Sequence, residues 1–284
     1  MSKKQLIIEK AVELFAENGF ESTSVQQITE RCGISKGAFY LYFKSKDELI
    51  IGLIDYFLSN IISDIEQSVS NEKHTDRLLY NYIYVSLSEF KKHAKFAKLF
   101  LKEQVFSYNN DLFNRLQMYM STLNHILLSI IQRQFPKKNP DMHFELLYAV
   151  NGLLKGFTEL FLIDEFPVDL DRLCHSIVEK ITIIADHSTV LVFTPEYLGK
   201  INFHFDISKE EVLNKLEEVI QETSDDPIVR DSLLLLKEDL EDPHLNEAII
   251  QGLLKNILIN PHCRWVASIY ELYLEGSIRA TSSE

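Results

Sequence analysis

SVQQITERCGISKGAFYLYFKSK, residues 24–46, decides how the rest of this sequence is read. It spells two short helices with a tight turn between them. Ser24 with Gln27 has the spacing of a capping box, in which each side chain bonds the other residue's backbone N–H. Val25 and Ile28 face inward at helical spacing. Gly33 offers the left-handed conformation at which a helix stops. Ser35 then caps a second helix, expected over Lys36–Tyr42. Two helices joined by a short glycine-containing turn form a helix-turn-helix. The second helix opens on Lys36, Gly37 and Ala38 and carries Tyr40 and Tyr42. Small residues at its start allow close approach to a nucleic acid, and Lys and Tyr then reach phosphates and base edges.

On the N-terminal side, residues 3–18 repeat apolar side chains at Ile7, Ala11, Leu14 and Phe15, an amphipathic helix that Gly19 ends. Phe15, Ile28, Ile34, Phe39 and Phe43 are expected to form the core beneath the helix-turn-helix. On the other side, Ser45 and Glu48 have the spacing of a second capping box, with Lys46 in the first turn. The helix they start runs on through Leu49, Leu53, Ile54, Phe57, Ile61 and Ile65.

GFESTSVQQIT (19–29) followed by GISKGAFYLYFKSKDEL (33–49) resembles the DNA-binding domain of TetR-family transcriptional regulators. The resemblance spans roughly residues 5–55, with turn, recognition helix and following cap in the same order. It marks Ser24, Gln26, Ser35, Lys36, Gly37, Ala38, Tyr40, Leu41, Tyr42 and Lys46 as the candidate DNA-contacting set. Leu41 departs from the family pattern, which often has a larger aromatic or polar residue there. The resemblance also implies a homodimer reading a pseudo-palindrome, a small-molecule effector, and a helix after Ser45 that transmits effector state to the head. It places the dimer contact on the two helices within 141–187.

The 284 residues hold 46% apolar and 25% charged residues, a globular composition. There is no apolar run long enough to span a membrane, and the N-terminus lacks the pattern of a signal peptide. Cys32, Cys174 and Cys263 are widely spaced and odd in number, which suggests a reducing cytoplasm. The net charge of −13 is unexpected for a DNA binder, but residues 1–50 carry seven Lys/Arg against seven Asp/Glu. Lys3, Lys4, Lys36, Lys44 and Lys46 are then expected to hold DNA locally.

Between Thr75 and His187 further helices are expected over 75–93, 95–106, 109–134, 141–164 and 167–187, with breaks at 107–110, Pro136–Pro140 and Phe166-Pro167. LLYAVNGLLKGFTELFLI (146–163) is apolar around most of its circumference. Gly152 and Gly156 in it would permit close helix approach. An internal core helix is the other reading. Residues 186–284 carry eight Lys/Arg and nineteen Asp/Glu. They alternate through Ile201, Phe203, Phe205 and Ile207, a strand pattern with Val190–Phe193 as its expected partner. Ser208 with Glu211, Asp226-Pro227, Asp242-Pro243 and Asn260-Pro261 each read as helix starts.

Tyr84, Phe100, Phe106, Phe113, Tyr119, His125, Phe157 and Phe161 are the candidate effector-pocket residues, although each also suits ordinary packing. No metal-ligand spacing and no nucleotide-binding or nucleophile motif occurs, so neither a cofactor nor catalysis is expected. The sequence thus reads as mainly α: a three-helix DNA-binding domain (1–47), a helical sensor and dimerisation body (48–187), and an acidic, mostly helical extension (188–284) with a short β-hairpin. The extension is expected to pack on the body away from DNA, because its net negative charge would be repelled by phosphates. The expected activity is that of a cytoplasmic, effector-responsive repressor. The competing reading is an interaction module whose acidic extension binds a protein partner.

Overall fold

The computed structural model describes residues 3–94, 97–98, 110–163, 167–193, 207–223, 226–260 and 263–281, and among them the chain is helical without a strand. The head consists of α1 (Lys3–Asn18), α2 (Val25–Cys32) and α3 (Lys36–Tyr40). Gly19 ends α1 at φ 85°. Phe20 then turns onto Phe15, with ring centroids 4.7 Å apart, and the Thr23 hydroxyl donates to the Gly19 carbonyl at 2.7 Å. Both halves of the Ser24–Gln27 capping box form, and Gly33 at φ 67° closes α2.

Helix α3 stops at Tyr40, two residues before the expected end at Tyr42. Packing explains the early stop. Phe39 and Phe43 are both buried, and the backbone turns so that the Tyr42 and Phe43 N–H groups both donate to the Phe39 carbonyl. Ile7, Ala11, Phe15, Ile28, Phe39, Phe43 and Leu49 share one core.

Helix α4 (Lys46–Ser70) is 25 residues long, roughly 37 Å at the usual helical rise. Its N-cap differs slightly from expectation. The Ser45 hydroxyl accepts from the Glu48 N–H, but the Glu48 carboxylate reaches the Lys44 N–H, one residue further out. The helix contributes Leu49, Ile50, Leu53 and Ile54 to the head core and Ile62, Ile65 and Val69 to the body core, with Leu58 against both. A single rigid element therefore belongs to head and body together.

The body adds α5 (Leu78–Lys92), α6 (Asn110–Gln134), α7 (Pro140–Thr158) and α8 (Leu170–His187). The helix expected over 75–93 starts as a tight 3-10 turn at Thr75–Arg77, and that expected over 141–164 ends in another at Glu159–Leu162. Apart from Ala97 and Lys98, the helix expected over 95–106 lies outside the described residues.

The extension forms α9 (Lys209–Glu222), α10 (Pro227–Glu241), α11 (Glu247–Ile259) and α12 (Arg264–Thr281). Its Leu216, Leu233, Leu254, Val266 and Tyr270 join the core that holds Ile62, Leu79, Leu127 and Ile177. Helix α12 packs on α4 and α6. Two of the expected helix starts shift. Asp242-Pro243 begins no helix, because the buried Asp239 carboxylate accepts the His244 and Leu245 N–H groups at 2.8 and 2.6 Å and wraps the chain into a loop. Asn246 caps α11 instead. Asn260 closes α11, and α12 begins only at Arg264.

Residues 201–206 of the expected strand lie outside the described residues. Its expected partner, Val190–Phe193, is irregular backbone. Side-chain anchors hold that segment rather than a ladder: the Val192 N–H donates to Glu145 Oε2 at 2.9 Å, and Phe193 stacks on Tyr148 at 4.6 Å. Among the described residues no helix is long and apolar enough to cross a membrane.

Candidate nucleic-acid interface

Helix α3 and the turn that follows it divide their side chains sharply. Phe39 is fully buried, whereas Lys36 and Gly37 are exposed, and Tyr40, Leu41 and Tyr42 are 51%, 83% and 38% exposed. Three consecutive large side chains held out of a well-packed head form an uncommon surface for a solvated turn. Gly37 has open space around it: an added Cβ would meet Ser35 Oγ at 3.8 Å and no nearer atom. A side chain there would intrude on whatever approaches α3 and not on the head itself.

The polar members of the expected set divide between local and outward roles. The Ser24 and Ser35 hydroxyls cap α2 and α3, the latter accepting from the half-buried Ala38's N–H, and the Gln26 amide donates to Glu30 Oε1 at 2.9 Å. Of the five lysines grouped by sequence, Lys3, Lys36 and Lys44 are exposed. Lys46 does not point outward. Its ammonium donates to the carbonyls of Phe20 at 2.7 Å, Thr23 at 3.3 Å and Glu21 at 3.4 Å. An ammonium has three donors, so this geometry assigns Lys46 to tying α4 onto the α1–α2 turn rather than to a phosphate. Lys4 also turns away and pairs with Glu218 of the extension at 3.0 Å.

That pair belongs to a network without a signature in the sequence. Asp55 on α4 accepts from Arg115 and Tyr119 of α6, each at 2.9 Å, and from Lys215 of α9 at 2.8 Å. Lys215, only 3% exposed, also donates to Glu218 at 2.8 Å and lies 5.4 Å above the Trp265 ring. Burial alone would raise the Glu218 carboxyl, but attraction to Lys215 and Lys4 and their hydrogen bonds outweigh it and hold it down at about 2. Burial, then the Asp55 charge and hydrogen bond, push the Tyr119 phenol well above its ordinary range. Beside the network lies a cleft of about 810 Å³ lined by the head's Lys4, Leu41 and Tyr42, by Asp55, and by Glu218 and Trp265 of the extension. The acidic extension therefore reaches the head. The carboxylate it places beside the head, Glu218, is paired with Lys4 and Lys215.

Gly52 was not singled out by sequence. A Cβ there would fall 2.7 Å from Phe43 Cε1. Its absence lets α4 lie directly under the turn that follows α3.

The structure disperses the expected effector-pocket residues. Tyr119 is buried on Asp55, and Tyr84 is surface-exposed and stacks on Tyr80 at 5.9 Å. Phe161 meets Phe90 at 6.2 Å, Phe157 packs against the body core and His125 is half-buried on α6. Phe100 and Phe106 lie outside the described residues. Phe113 lines a groove of about 490 Å³ along α6 with Leu116, Gln117, Met120, Ser121 and Asn124.

Residues 7–53 match the sequence model of the tetR family of bacterial regulatory proteins. The HTH-type transcriptional regulator YerO of Bacillus subtilis (strain 168) is 26% identical over 267 residues, covering 90% of this chain and 89% of YerO. The fatty acid metabolism regulator protein of the same organism is 26% identical and matches 62% of this chain and 92% of its own length. Among solved structures, the regulator FadR from Bacillus subtilis in complex with stearoyl-CoA aligns with a TM-score of 0.54 at 21% identity, over 62% of this chain and 96% of FadR. A TerR/AcrR-family regulator from Aquifex aeolicus VF5 aligns with a TM-score of 0.50 at 28% identity, over 64% of this chain and 99% of that one. The structural likenesses thus leave more than a third of this chain uncovered, whereas YerO matches nearly all of it. Helix-turn-helix geometry and family match agree: residues 7–53 form a DNA-binding head of the tetR family, and the chain is similar along nearly all its length to an HTH-type transcriptional regulator.

Proposed function

We propose that the chain is an effector-responsive repressor that binds a pseudo-palindromic operator as a homodimer in the cytoplasm. The observation that carries this reading is the outward display of Lys36, Gly37, Tyr40, Leu41 and Tyr42 over a head core closed by Phe39 and Phe43. Each α3 enters a major groove, and a two-fold dimer demands two half-sites about one helical turn apart or a multiple of it. Lys36 and Lys44 contact phosphates, Tyr40 and Tyr42 reach groove edges, and Leu41 offers an apolar contact to a thymine methyl.

The dimer forms through α7 and α8. Support comes from exposed positions on these helices: Tyr148 and Ile183 are more than half exposed, and an added Cβ at Gly152 or Gly156 meets nothing within 4 Å. The effector is a small molecule taken up by the body. Likeness to a FadR that was crystallised with stearoyl-CoA favours an amphiphile with a long apolar tail. The α6 groove suits such a ligand, with Phe113, Leu116 and Met120 beside Gln117, Ser121 and Asn124. Effector binding moves the equilibrium between head arrangements only by its difference in affinity for them. Against a free-standing partner-binding module, Leu216, Leu233, Leu254 and Val266 of the extension are committed to the body core.

Selection from a random duplex pool with the full chain tests the reading. An inverted repeat should be enriched, and stearoyl-CoA should release it. Failure to enrich any sequence overturns the repressor reading, whereas enrichment without release rejects the acyl amphiphile alone.

A further inference from the structure

We propose that the C-terminal extension is a brace that sets the position of the DNA-reading head relative to the body, with Glu218 as its positioning residue. The inference rests on the operator-reading function proposed above. Glu218 receives Lys4 of α1 at 3.0 Å on one oxygen and Lys215 of its own helix at 2.8 Å on the other. Lys215 passes the connection to Asp55 on α4, and Asp55 passes it to Arg115 and Tyr119 on α6. Four helices, one from the head, one shared, one from the body and one from the extension, meet through one alternating chain of charges.

The chain is anchored at its inner end and open at its outer end. Lys215 and Asp55 are 3% and 13% exposed, while Glu218 and Lys4 are 33% and 28% exposed. An ion pair sealed from water resists separation more than one screened by it. The inner pairs therefore fix α9 on α4 and α6, and the outer pair fixes the head to α9. The cleft of about 810 Å³ between head, α4 and extension leaves this part of the head without continuous packing. Across this cleft Lys4 of the head and Glu218 of the extension make a direct contact. Leu41 and Tyr42, at the end of the reading surface, line the same cleft, so a shift of α1 relative to α9 moves them too. In a dimer, the position of each head on its body sets the distance between the two reading helices.

The test uses the full chain and the operator recovered by selection, rebuilt with its centre lengthened or shortened by one or two base pairs. Binding is followed by fluorescence anisotropy, alongside a duplex carrying one half-site. For wild type one spacing should bind best. Glu218→Gln, which keeps the shape and removes the charge, should reduce the preference for that spacing by about fivefold or more, while half-site affinity stays as in wild type. Lys4→Ala, which opens the same pair from its exposed end, should broaden the profile to the same extent. The double variant should be no broader than either single one, and Lys4→Arg should keep the wild-type profile. An unchanged spacing profile in Glu218→Gln and Lys4→Ala overturns the brace and leaves the repressor reading intact. So does an equal loss on the half-site, which would mean a fault in the head itself. If wild type selects no duplex, the repressor reading and the brace fail together.

Discussion

Lys46 and Lys36 show how little a residue's type says about its task. Both are lysines at the edge of the helix-turn-helix, yet one is held on three carbonyls and the other is exposed. Lys46→Met should lower head stability by about 2 kcal/mol, the range for hydrogen bonds from a charged group, and leave the salt dependence of DNA binding unaltered. Lys36→Ala should do the reverse, with unchanged melting and a salt slope shallower by about one unit. Thermal melts and salt titrations of the two variants check both statements. Lys215 lies at the other extreme of burial. Lys215→Met would leave Asp55 and Glu218 each short of a partner, and a loss of about 3 kcal/mol is expected in urea unfolding, as for other broken buried pairs. Sequence did not foretell the tasks of Lys46 and Lys215, because Lys46 is held by backbone carbonyls 23–26 residues away and Lys215 by Asp55, 160 residues away. The caps at Ser24 and Ser35 and the stop at Gly33 were legible because their bonds close within a few residues.

At the scale of elements, α4 carries the largest consequence. It passes from the head core at Leu49 and Leu53 to the body core at Ile62 and Ile65 without a break. Its seat under the α3 turn depends on Gly52, since even a methyl there would press on the buried Phe43 ring. Gly52→Ala should cost about 1–3 kcal/mol, the range for overpacking, and weaken operator binding, because the turn that carries Leu41 and Tyr42 must shift. Melting and anisotropy measurements on this variant check the two effects together. The periodicity of residues 49–65 announced this helix plainly. It could not announce which of its faces would meet an extension far along the chain. The same limit explains Asp242-Pro243, whose cap-like pair was overruled by the buried carboxylate of Asp239.

For the whole molecule, charge and symmetry matter most. The Glu218 carboxyl is held at about 2, against an ordinary value of 4.5. A carboxyl depressed on folding adds stability that is fully present above its unfolded value and is lost as pH falls towards its folded value. Acid should therefore weaken the attachment of head to extension between pH 4.5 and about 2, and Glu218→Gln should flatten that part of the stability profile. Chemical unfolding across this range provides the check. Gly156 tests the dimer. Its surroundings within one protomer are open, so Gly156→Glu should fold normally and yet sediment as a monomer, since a partner surface would bury the charge unpaired. The mainly helical class was legible from patterning. The continuity of body and extension in one core was not, because shared burial joins side chains that are remote in sequence.

Whether α3 reads DNA is decided at Gly37. Nothing in the protomer crowds this position, so Gly37→Leu should leave melting temperature and dimerisation as in wild type. Titrated against the selected operator by fluorescence anisotropy, that variant should show only the weak, strongly salt-dependent binding common to any sequence. Operator binding by Gly37→Leu as tight and as sequence-selective as that of wild type would mean that α3 does not enter the groove.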